Sequence, residues 1–306
     1  MAGKRRNEYD AVVVGGGLAG LTAGWQAVQH GLSLAVLEVG LFGGQVATVS
    51  AIEGFPGVEV MSGADLASVL MGAVREAGGD LVEAKAQSVE RMGRQFRVSS
   101  GEDIWRTRAL LVASGARLRS LDAEGAERME GRGLSHCASC DGPLYRGQDV
   151  VVVGGGDSAV QEAAVLAGMC RSVTLVVRGR LRARRQYVRR LQSFGNVRIV
   201  WNSVVEAVLG DEGVTGVRLC EQDSGATSEI ACTGLFPFIG LIPNTEFLGD
   251  LVERDETGAL VTDANFDTSV PGIKAVGAVR RGFSGELASA VGEGASAMAM
   301  IAAVRQ

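Results

Sequence analysis

Two cysteines separated by two residues, Cys137 and Cys140, are the residues of this sequence best suited to chemistry. A zinc site takes about four ligands, whereas the chain offers this one pair, two histidines and three scattered cysteines. The spacing closes a short disulfide, and such motifs commonly lower the pKa of one thiol. Asp141 follows directly and could transfer protons, although Asp141-Gly142-Pro143 could equally form a turn. We therefore expect a redox-active pair and no metal site.

A glycine-rich turn near the start of the chain predicts a nucleotide site. The apolar run 11–14 leads into Gly15-Gly16-Gly17-Leu18-Ala19-Gly20, a G-x-G-x-x-G pattern, and then into an expected helix. Gly15, Gly17 and Gly20 would let the backbone approach a pyrophosphate at the positive end of that helix. The next strand ends at Glu38, 23 residues beyond Gly15, where a carboxylate would accept hydrogen bonds from ribose hydroxyls. This unit is expected to bind an unphosphorylated adenosine ribose, as in FAD or NAD.

The same unit recurs later in the chain. The run 150–153 leads into Gly154-Gly155-Gly156-Asp157-Ser158-Ala159, a G-x-G-x-x-A variant, and then into a helix. At the position 23 residues beyond Gly154 stands Val177, followed by Arg178 instead of an acid. An acid would repel a 2′-phosphate, whereas Arg178 offers it charge-assisted hydrogen bonds. The second unit is therefore expected to bind NADPH; the predicted contacts are Gly154, Gly156, Asp157, Ser158, Ala159 and Arg178.

Length and composition place these motifs in a two-domain globular protein. The chain has 306 residues, of which 46% are hydrophobic and 21% charged. A net charge of -5 gives no general attraction to nucleic acid or to anionic membranes, so the arginine-rich run 178–190 is expected to be mostly solvated surface. The uncharged stretch 11–30 resembles a secretory signal, but its glycines fit a nucleotide turn better. We expect a cytoplasmic location, where a disulfide would be catalytic.

The cysteine segment also resembles a known family. His136-Cys137-Ala138-Ser139-Cys140-Asp141-Gly142 is similar to the active-site stretch of low-molecular-weight, bacterial-type thioredoxin reductases. Further resemblances follow in order along nearly the whole chain. They comprise the flavin-side loop (Gly43-Gly44-Gln45 and Ile52-Glu53-Gly54-Phe55-Pro56-Gly57), the two domain crossovers (113–116 and 236–245) and the approach to the last flavin contact (268–273).

The resemblance implies a fold and a division into domains. Two Rossmann-like, three-layer α/β domains are expected, the second inserted into the first. Residues 1–116 and 246–306 would form the FAD-binding domain, and residues 117–245 the NADPH-binding domain that carries the cysteines. The further cofactor contacts that it implies are Gly44, Gln45, Gly115, Gly277 and Glu286 for FAD and Arg182 for NADPH.

The resemblance also implies an electron path. Electrons would pass from NADPH through FAD to the Cys137–Cys140 disulfide, and then to thioredoxin or a thioredoxin-like protein. Cys140 would face the flavin, Cys137 would attack the partner disulfide, and Asp141 would act as general acid and base. Because NADPH and the cysteines belong to one domain, the family rotates its two domains about the crossovers. A homodimer is the usual assembly in the family.

The sequence departs from the family mainly on the flavin side. Ala278 stands where the family has Asp, Gly54 where it has Asn, and Glu286 where it has Gln; Gly179 replaces the second arginine of the NADPH loop. A hydrogen bond to a charged group is worth about 1.5–3 kcal/mol, whereas nanomolar binding corresponds to about 12 kcal/mol. Loss of the Asp contact alone would therefore weaken the affinity and still leave FAD bound, so FAD is expected. Glu286, if near the flavin, would lower its reduction potential.

Two other functions remain open at this point. A flavin-dependent oxidase of a small dithiol would not need NADPH, so the second nucleotide unit counts against it. A degenerate flavoprotein with a binding or regulatory role would explain the altered flavin contacts. The retained cysteine pair and Asp141 count against that alternative.

Overall fold

The computed structural model describes residues 7–49, 51, 52, 55, 56 and 60–304. Gly54, one of the departures noted above, lies outside these residues. The chain forms two compact units. The first comprises Met1–Arg117 and Ile242–Gln306, and the second, Leu118–Leu241, interrupts it.

The described part of the first unit is built on a seven-stranded sheet. Its strands are β1 (Glu8–Val14), β2 (Leu34–Glu38), β3 (Asp80–Glu83), β4 (Ser88–Met92), β5 (Gln95–Ser100), β6 (Asp103–Val112) and β16 (Ile273–Ala275). Strands β3, β2, β1, β6 and β16 pair in parallel, while the β4–β5 hairpin joins β6 in antiparallel fashion. The buried segments of the central strands, 11–14 in β1 and 34–37 in β2, are apolar because both faces of this sheet are covered.

Helices α1 (Leu18–Gln29), α2 (Gly63–Glu76) and α6 (Leu287–Ala303) cover one face of this sheet. Leu21, Ala23 and Ala27 of α1 are fully buried. Small residues on α1 and α6 let the two helices pack closely, and a Cβ on Gly294 would lie 2.2 Å from the carbonyl oxygen of Ala19. The opposite face carries a second apolar cluster that includes Phe96, Leu248 and Val252.

The second unit has a four-stranded parallel sheet in the order β10-β9-β8-β14. These strands are β8 (Asp149–Val153), β9 (Ser172–Val177), β10 (Val197–Trp201) and β14 (Gly234–Pro237). Helices α3 (Ala138–Asp141), α4 (Asp157–Ala167) and α5 (Arg185–Gln192) pack on one face. A three-stranded antiparallel sheet packs on the other, formed by β11 (Ser203–Leu209), β12 (Gly216–Glu221) and β13 (Thr227–Ala231).

The passages between the two units are the short strands β7 (Ala116–Leu118) and β15 (Leu241–Pro243), which pair with each other. The predicted α/β fold with two Rossmann-like units is confirmed. Among the helices in the described part of the chain, none has the length and apolar character needed to cross a bilayer.

Candidate functional site

The cysteine pair lies in the second unit, on the segment that precedes β8. Cys137 and Cys140 form a disulfide with their Cα atoms 5.3 Å apart, as predicted. The backbone N–H of Cys140 donates to Sγ of Cys137 at 3.1 Å. Cys137 is half-buried and Cys140 is exposed, so both sulfurs lie near the surface of the unit. Among the described residues, no group of three or more His, Cys, Asp or Glu side chains is placed to hold a metal ion.

Asp141 is held beside the pair by a residue that the sequence did not single out. The buried hydroxyl of Ser135 donates to Oδ2 of Asp141 at 2.6 Å and accepts the backbone N–H of Cys137 at 3.2 Å. Burial, and then the nearby charge of Asp141, raises the pKa of Tyr145. The two hydrogen bonds of Ser135 therefore fix the Asp141 carboxylate relative to the cysteine backbone, as a proton-transfer group needs to be.

A second carboxyl group contacts the same segment and was also missed. Glu162, on α4, accepts the backbone N–H of Ala138 at 3.0 Å. Its burial raises the pKa of this carboxyl group, and the hydrogen bond from Ala138 opposes the rise in part. The contact joins residues 24 positions apart, and no local pattern in the sequence indicates it.

The glycine turn between β8 and α4 has the geometry of a phosphate-binding turn. Gly154 has φ +139°, and a Cβ on it would lie 2.3 Å from the carbonyl oxygen of Phe238, so a larger residue does not fit. The carboxylate of Asp157 accepts the backbone N–H and the Nε–H of Arg184, each at 2.7 Å. Asp157 therefore anchors the following loop, and α4 begins without a side-chain N-cap. The backbone N–H groups at this helix end suit a phosphate.

A cleft of about 830 Å³ opens beside this turn. Its lining includes the glycine turn, with Gly156 and Ser158, and the segment 178–182, which we call the arginine loop. The side chains of Arg178, Arg180 and Arg182 contribute to its lining. The backbone N–H of Arg182 donates to the carbonyl oxygen of Gly155 at 2.7 Å, which holds the loop against the turn. The volume suits a ligand of the size of NADPH, and the cationic lining fits its 2′-phosphate.

Arg180 also lines the cleft but was not among the predicted arginine contacts, which were Arg178, from the residue count after Gly154, and Arg182, from the family resemblance. The alternation of arginines at 178, 180 and 182 on a non-helical segment was the available signal, because alternate residues of an extended chain share one side. Ala159, another predicted contact, is fully buried on α4 within the apolar cluster between the helices and the parallel sheet, and it is not part of the lining of the cleft.

The first glycine turn, between β1 and α1, is equally restricted. Gly15 has φ +109°, and a Cβ on it would lie 2.2 Å from the carbonyl oxygen of Ala113. A Cβ on Gly20 would lie 1.9 Å from the carbonyl oxygen of Gly15, so helix and turn are in close contact. Helix α1 begins after Gly17 with no side-chain N-cap and no acid in its first turn. Its free N–H groups fit the pyrophosphate of FAD.

Glu38 is held in place beside this turn. Its Oε2 accepts the backbone N–H of Gly16 at 2.6 Å, and its Oε1 accepts that of Gly40 at 3.0 Å. A cleft of about 600 Å³ opens here, lined by residues that include Gly15, Glu38, Lys85, Arg117 and Glu246. Arg117 and Glu246 form an ion pair at 2.7 Å. Of the residues that line this cleft, the sequence predicted only Gly15, from the glycine turn, and Glu38, from β2.

Gly44 and Gly277 lie against the start of α1. A Cβ on Gly44 would lie 3.2 Å from Cα of Gly17, and one on Gly277 would lie 3.3 Å from Cβ of Ala19. Both glycines therefore surround the helix end where the pyrophosphate is expected. Neither contributes to the lining of the 600 Å³ cleft.

The other predicted flavin residues are more scattered. The side-chain amide of Gln45 donates to the carbonyl oxygen of Ala116 on β7, so it is already used within the first unit. The carbonyl oxygen of Gly115 accepts the N–H of Asn244 at 3.0 Å. Glu286 is exposed at the beginning of α6. These three residues also lie outside the lining of the cleft.

The turn that carries Ala278 is held by an acid from α6. Oε2 of Glu293 accepts the backbone N–H of Gly277 at 2.7 Å and the Nε–H of Arg280 at 3.0 Å, while Oε1 accepts from Nη2 of Arg280 at 2.6 Å. The side chains of Arg280 and Glu293 are only 17% and 11% exposed. Although Ala278 stands where the family has Asp, Glu293 of α6 still holds the backbone of this turn.

Comparisons with known proteins show which family these two nucleotide turns and the disulfide define. Residues 9–299 match the family described as pyridine nucleotide-disulphide oxidoreductase. The thioredoxin reductase of Listeria monocytogenes serovar 1/2a is 35% identical over 289 residues, which cover 94% of this chain and 90% of that protein. The thioredoxin reductase of Treponema pallidum is also 35% identical, over 292 residues that cover 95% of each protein.

The solved structures agree with this result. The crystal structure of Lactococcus lactis thioredoxin reductase matches with a TM-score of 0.93 and 34% identity, and covers 97% of this chain and 100% of that chain. The chain therefore belongs to the pyridine nucleotide-disulphide oxidoreductase family, and the predicted resemblance to bacterial-type thioredoxin reductases is confirmed. Proteins of this family use FAD and NADPH, as predicted for this chain.

Proposed function

We propose that this protein is an NADPH-dependent flavoprotein disulfide reductase whose electrons pass through FAD to the Cys137–Cys140 disulfide and then to thioredoxin or a thioredoxin-like protein. The observation that carries the proposal is the disulfide with Asp141 held beside it, in the same unit as an arginine-lined nucleotide cleft. The relatives named thioredoxin reductase, matched over 94% of this chain, support the choice of partner.

In this proposal each unit binds one cofactor. Residues 1–116 and 246–306 hold FAD, with the pyrophosphate at the start of α1 and the adenosine ribose at Glu38. Residues 117–245 hold NADPH, with its pyrophosphate at the start of α4 and its 2′-phosphate among the arginines of the 830 Å³ cleft. When bound, NADPH would supply the two electrons that reduce the disulfide, and FAD would relay them.

The protein residues then perform thiol–disulfide exchange. The reduced Cys137 sulfur attacks one sulfur of the partner disulfide and releases the other sulfur as a thiolate. Cys140 next attacks Sγ of Cys137, which releases the second partner sulfur and restores the Cys137–Cys140 disulfide. Asp141, oriented by Ser135, gives and takes the protons of these sulfurs. Two electrons leave the protein and one partner disulfide becomes a dithiol.

We also propose a cytoplasmic location and a homodimeric assembly, both of which rest on the family resemblance. Cell fractionation tests the first, and sedimentation of the purified protein tests the second.

A spectroscopic experiment tests the electron path. The purified protein is expected to be yellow, to bleach when NADPH is added without oxygen, and to recover its colour when oxidised thioredoxin is added. Bleaching by a small dithiol but not by NADPH would instead indicate a dithiol oxidase. A colourless protein that takes up no FAD would indicate a binding or regulatory role.

The Cys140→Ser variant tests the role of the cysteine pair. It should lose reduction of thioredoxin while its flavin is still reduced by NADPH. Cys220→Ser, which changes a half-buried thiol outside the pair, is the matched control and should keep both steps. Full reduction of thioredoxin by Cys140→Ser would refute the proposed path.

A further inference from the structure

The contact between Glu162 and Ala138 links a buried acid to the redox-active segment. Ala138 is fully buried and lies between the two cysteines, in the helical turn α3. Its N–H donates to Oε2 of Glu162 at 3.0 Å. Since this N–H belongs to the peptide that follows Cys137, covalent geometry and the hydrogen bond together keep the carboxylate oxygen within about 8 Å of that residue's sulfur. Both residues belong to the unit Leu118–Leu241.

Glu162 is the acid most directly attached to the redox segment apart from Asp141. The elements that pack against α4 are α3, α5, β8 and β9. Their charged or titratable groups are Asp141 and, once the disulfide is reduced, Cys140 on α3, Asp149 on β8, and Arg185, Tyr187, Arg189 and Arg190 on α5. Asp149 is engaged by Arg171, and Asp141 by Ser135. The titration of Glu162 is governed by its burial and by the Ala138 N–H.

Reduction of the disulfide changes the charge next to this carboxylate. The S–S bond breaks when two electrons arrive from NADPH through FAD, and one proton from solvent leaves one thiol and one thiolate. A thiolate close to a carboxylate in a partly buried setting is unfavourable, because like charges repel strongly where water is scarce. The repulsion disfavours the reduced pair and favours a proton on the carboxylate.

We propose that Glu162 is a positioning residue that holds the redox segment through Ala138, lowers the reduction potential of the Cys137–Cys140 pair, and takes up one proton from solvent when the pair is reduced. The proposal rests on the proposed function in one respect, namely that the pair cycles between disulfide and dithiol. On reoxidation the pair returns two electrons to the partner disulfide, and Glu162 releases its proton.

The Glu162→Gln variant tests this proposal, because glutamine keeps an oxygen for the Ala138 N–H but carries no charge. The full-length protein is equilibrated with glutathione redox buffers, and the Cys137–Cys140 peptide is quantified by alkylation and mass spectrometry. Glu162→Gln is expected to favour the dithiol about tenfold at neutral or higher pH, which corresponds to about 30 mV for a two-electron couple. Glu206→Gln, the same charge change at an exposed position of this unit, should leave the equilibrium unchanged.

The pH dependence separates an electrostatic role from a merely structural one. A carboxyl group with a raised pKa is charged only above that pKa, so the difference between wild type and Glu162→Gln should shrink as the pH falls. An equilibrium that is the same in both proteins at every pH would overturn the proposal. A difference that does not depend on pH would also overturn it, since it would reflect altered geometry.

A second measurement covers the case in which Glu162→Gln does not fold, as judged by circular dichroism. Infrared difference spectra of an Asp141→Asn protein, reduced minus oxidised, should gain the C=O stretch of a protonated carboxyl group. The absence of that band would refute proton uptake at Glu162. Both measurements use thiol reagents alone, so a failure of the NADPH or thioredoxin reaction leaves their outcome readable.

Discussion

Removal of the Glu293 carboxylate is expected to destabilise the first unit and to weaken its binding of FAD. The carboxylate accepts from the N–H of Gly277 and from two nitrogens of Arg280. In Glu293→Ala, these donors lose their acceptor while the Arg280 guanidinium stays largely buried. The turn at Gly277 lies against the start of α1, so its displacement reaches the helix end proposed to hold the pyrophosphate.

The structure sets the size of this effect. Removal of one partner of a buried ion pair costs about 3–5 kcal/mol. The residual exposure of 17% and 11%, together with the position of Arg280 5.3 Å from the Phe266 ring, places the expected loss at the lower end, about 3 kcal/mol. A loss of 1 kcal/mol lowers Tm by about 2–4 °C for a unit of roughly this size. The expected decrease in Tm is therefore about 6–12 °C.

Circular dichroism melting of the FAD-free protein measures the stability, and fluorescence titration with FAD measures the affinity. Glu256→Ala, which removes an exposed acid from the same unit, is the control and should melt like the wild type. Replacement of both partners by apolar residues should recover much of the loss, because no unpaired charge is then left buried. A Glu293→Ala protein that melts within about 1 °C of the wild type would refute the reasoning, since it would show that the ion pair contributes little.

Three further predictions concern the nucleotide turns and an ion pair. Arg178→Ala and Arg180→Ala should each lower kcat/KM for NADPH about tenfold or more relative to NADH, because a charge-assisted hydrogen bond is worth about 1.5–3 kcal/mol; equal losses with both nucleotides would contradict a phosphate contact. Gly15→Ala places a methyl group 2.2 Å from a carbonyl oxygen at φ +109°, so the purified variant should lack flavin absorbance, and a yellow protein would argue against this. Arg171, and then Ser172, lowers the pKa of Asp149 to about 2, so this carboxylate stabilises the fold above about pH 4 and ceases to do so as the pH falls towards 2. Acid titrations of Arg171→Ala should therefore show a difference from wild type near neutral pH that disappears by about pH 2; a constant difference would contradict the assignment.

The features that sequence predicted are those encoded over short stretches. Gly15 and Gly154 could be identified because each turn needs a positive φ and close backbone approach, and both demands act within a few residues. The cysteine pair is likewise local, with two residues between its members. The same local patterns predicted two nucleotide-binding units, in which an apolar strand and a glycine turn lead into a helix, whereas the full α/β architecture with one domain inserted into the other came from the family resemblance.

The supporting contacts could not be predicted, because each depends on how the chain folds between its two residues, even where only six positions separate them. Ser135 reaches Asp141 across a loop, Glu162 reaches Ala138 from another helix, and Glu293 reaches Gly277 from the last helix. Such contacts depend on how helices and strands pack, which residue spacing does not specify. The family resemblance placed Glu286 near the flavin; the residue is exposed at the start of α6, and its contact with FAD stays a prediction.

The interruption of the first unit by the second affects how the chain acquires its structure during translation. The central strand β6 pairs with β16, where Leu110 aligns with Ile273, and α1 packs on α6. The ribosome therefore finishes the whole second unit before the last strand and helix of the first exist. At about 5–20 residues per second, synthesis from the end of α1 to the end of α6 takes about 14–55 s, and the side of α1 that packs on α6 stays uncovered for that time. In that interval the nascent chain carries one complete domain and one open sheet, and this is the stage at which a chaperone would bind the amino-terminal segment.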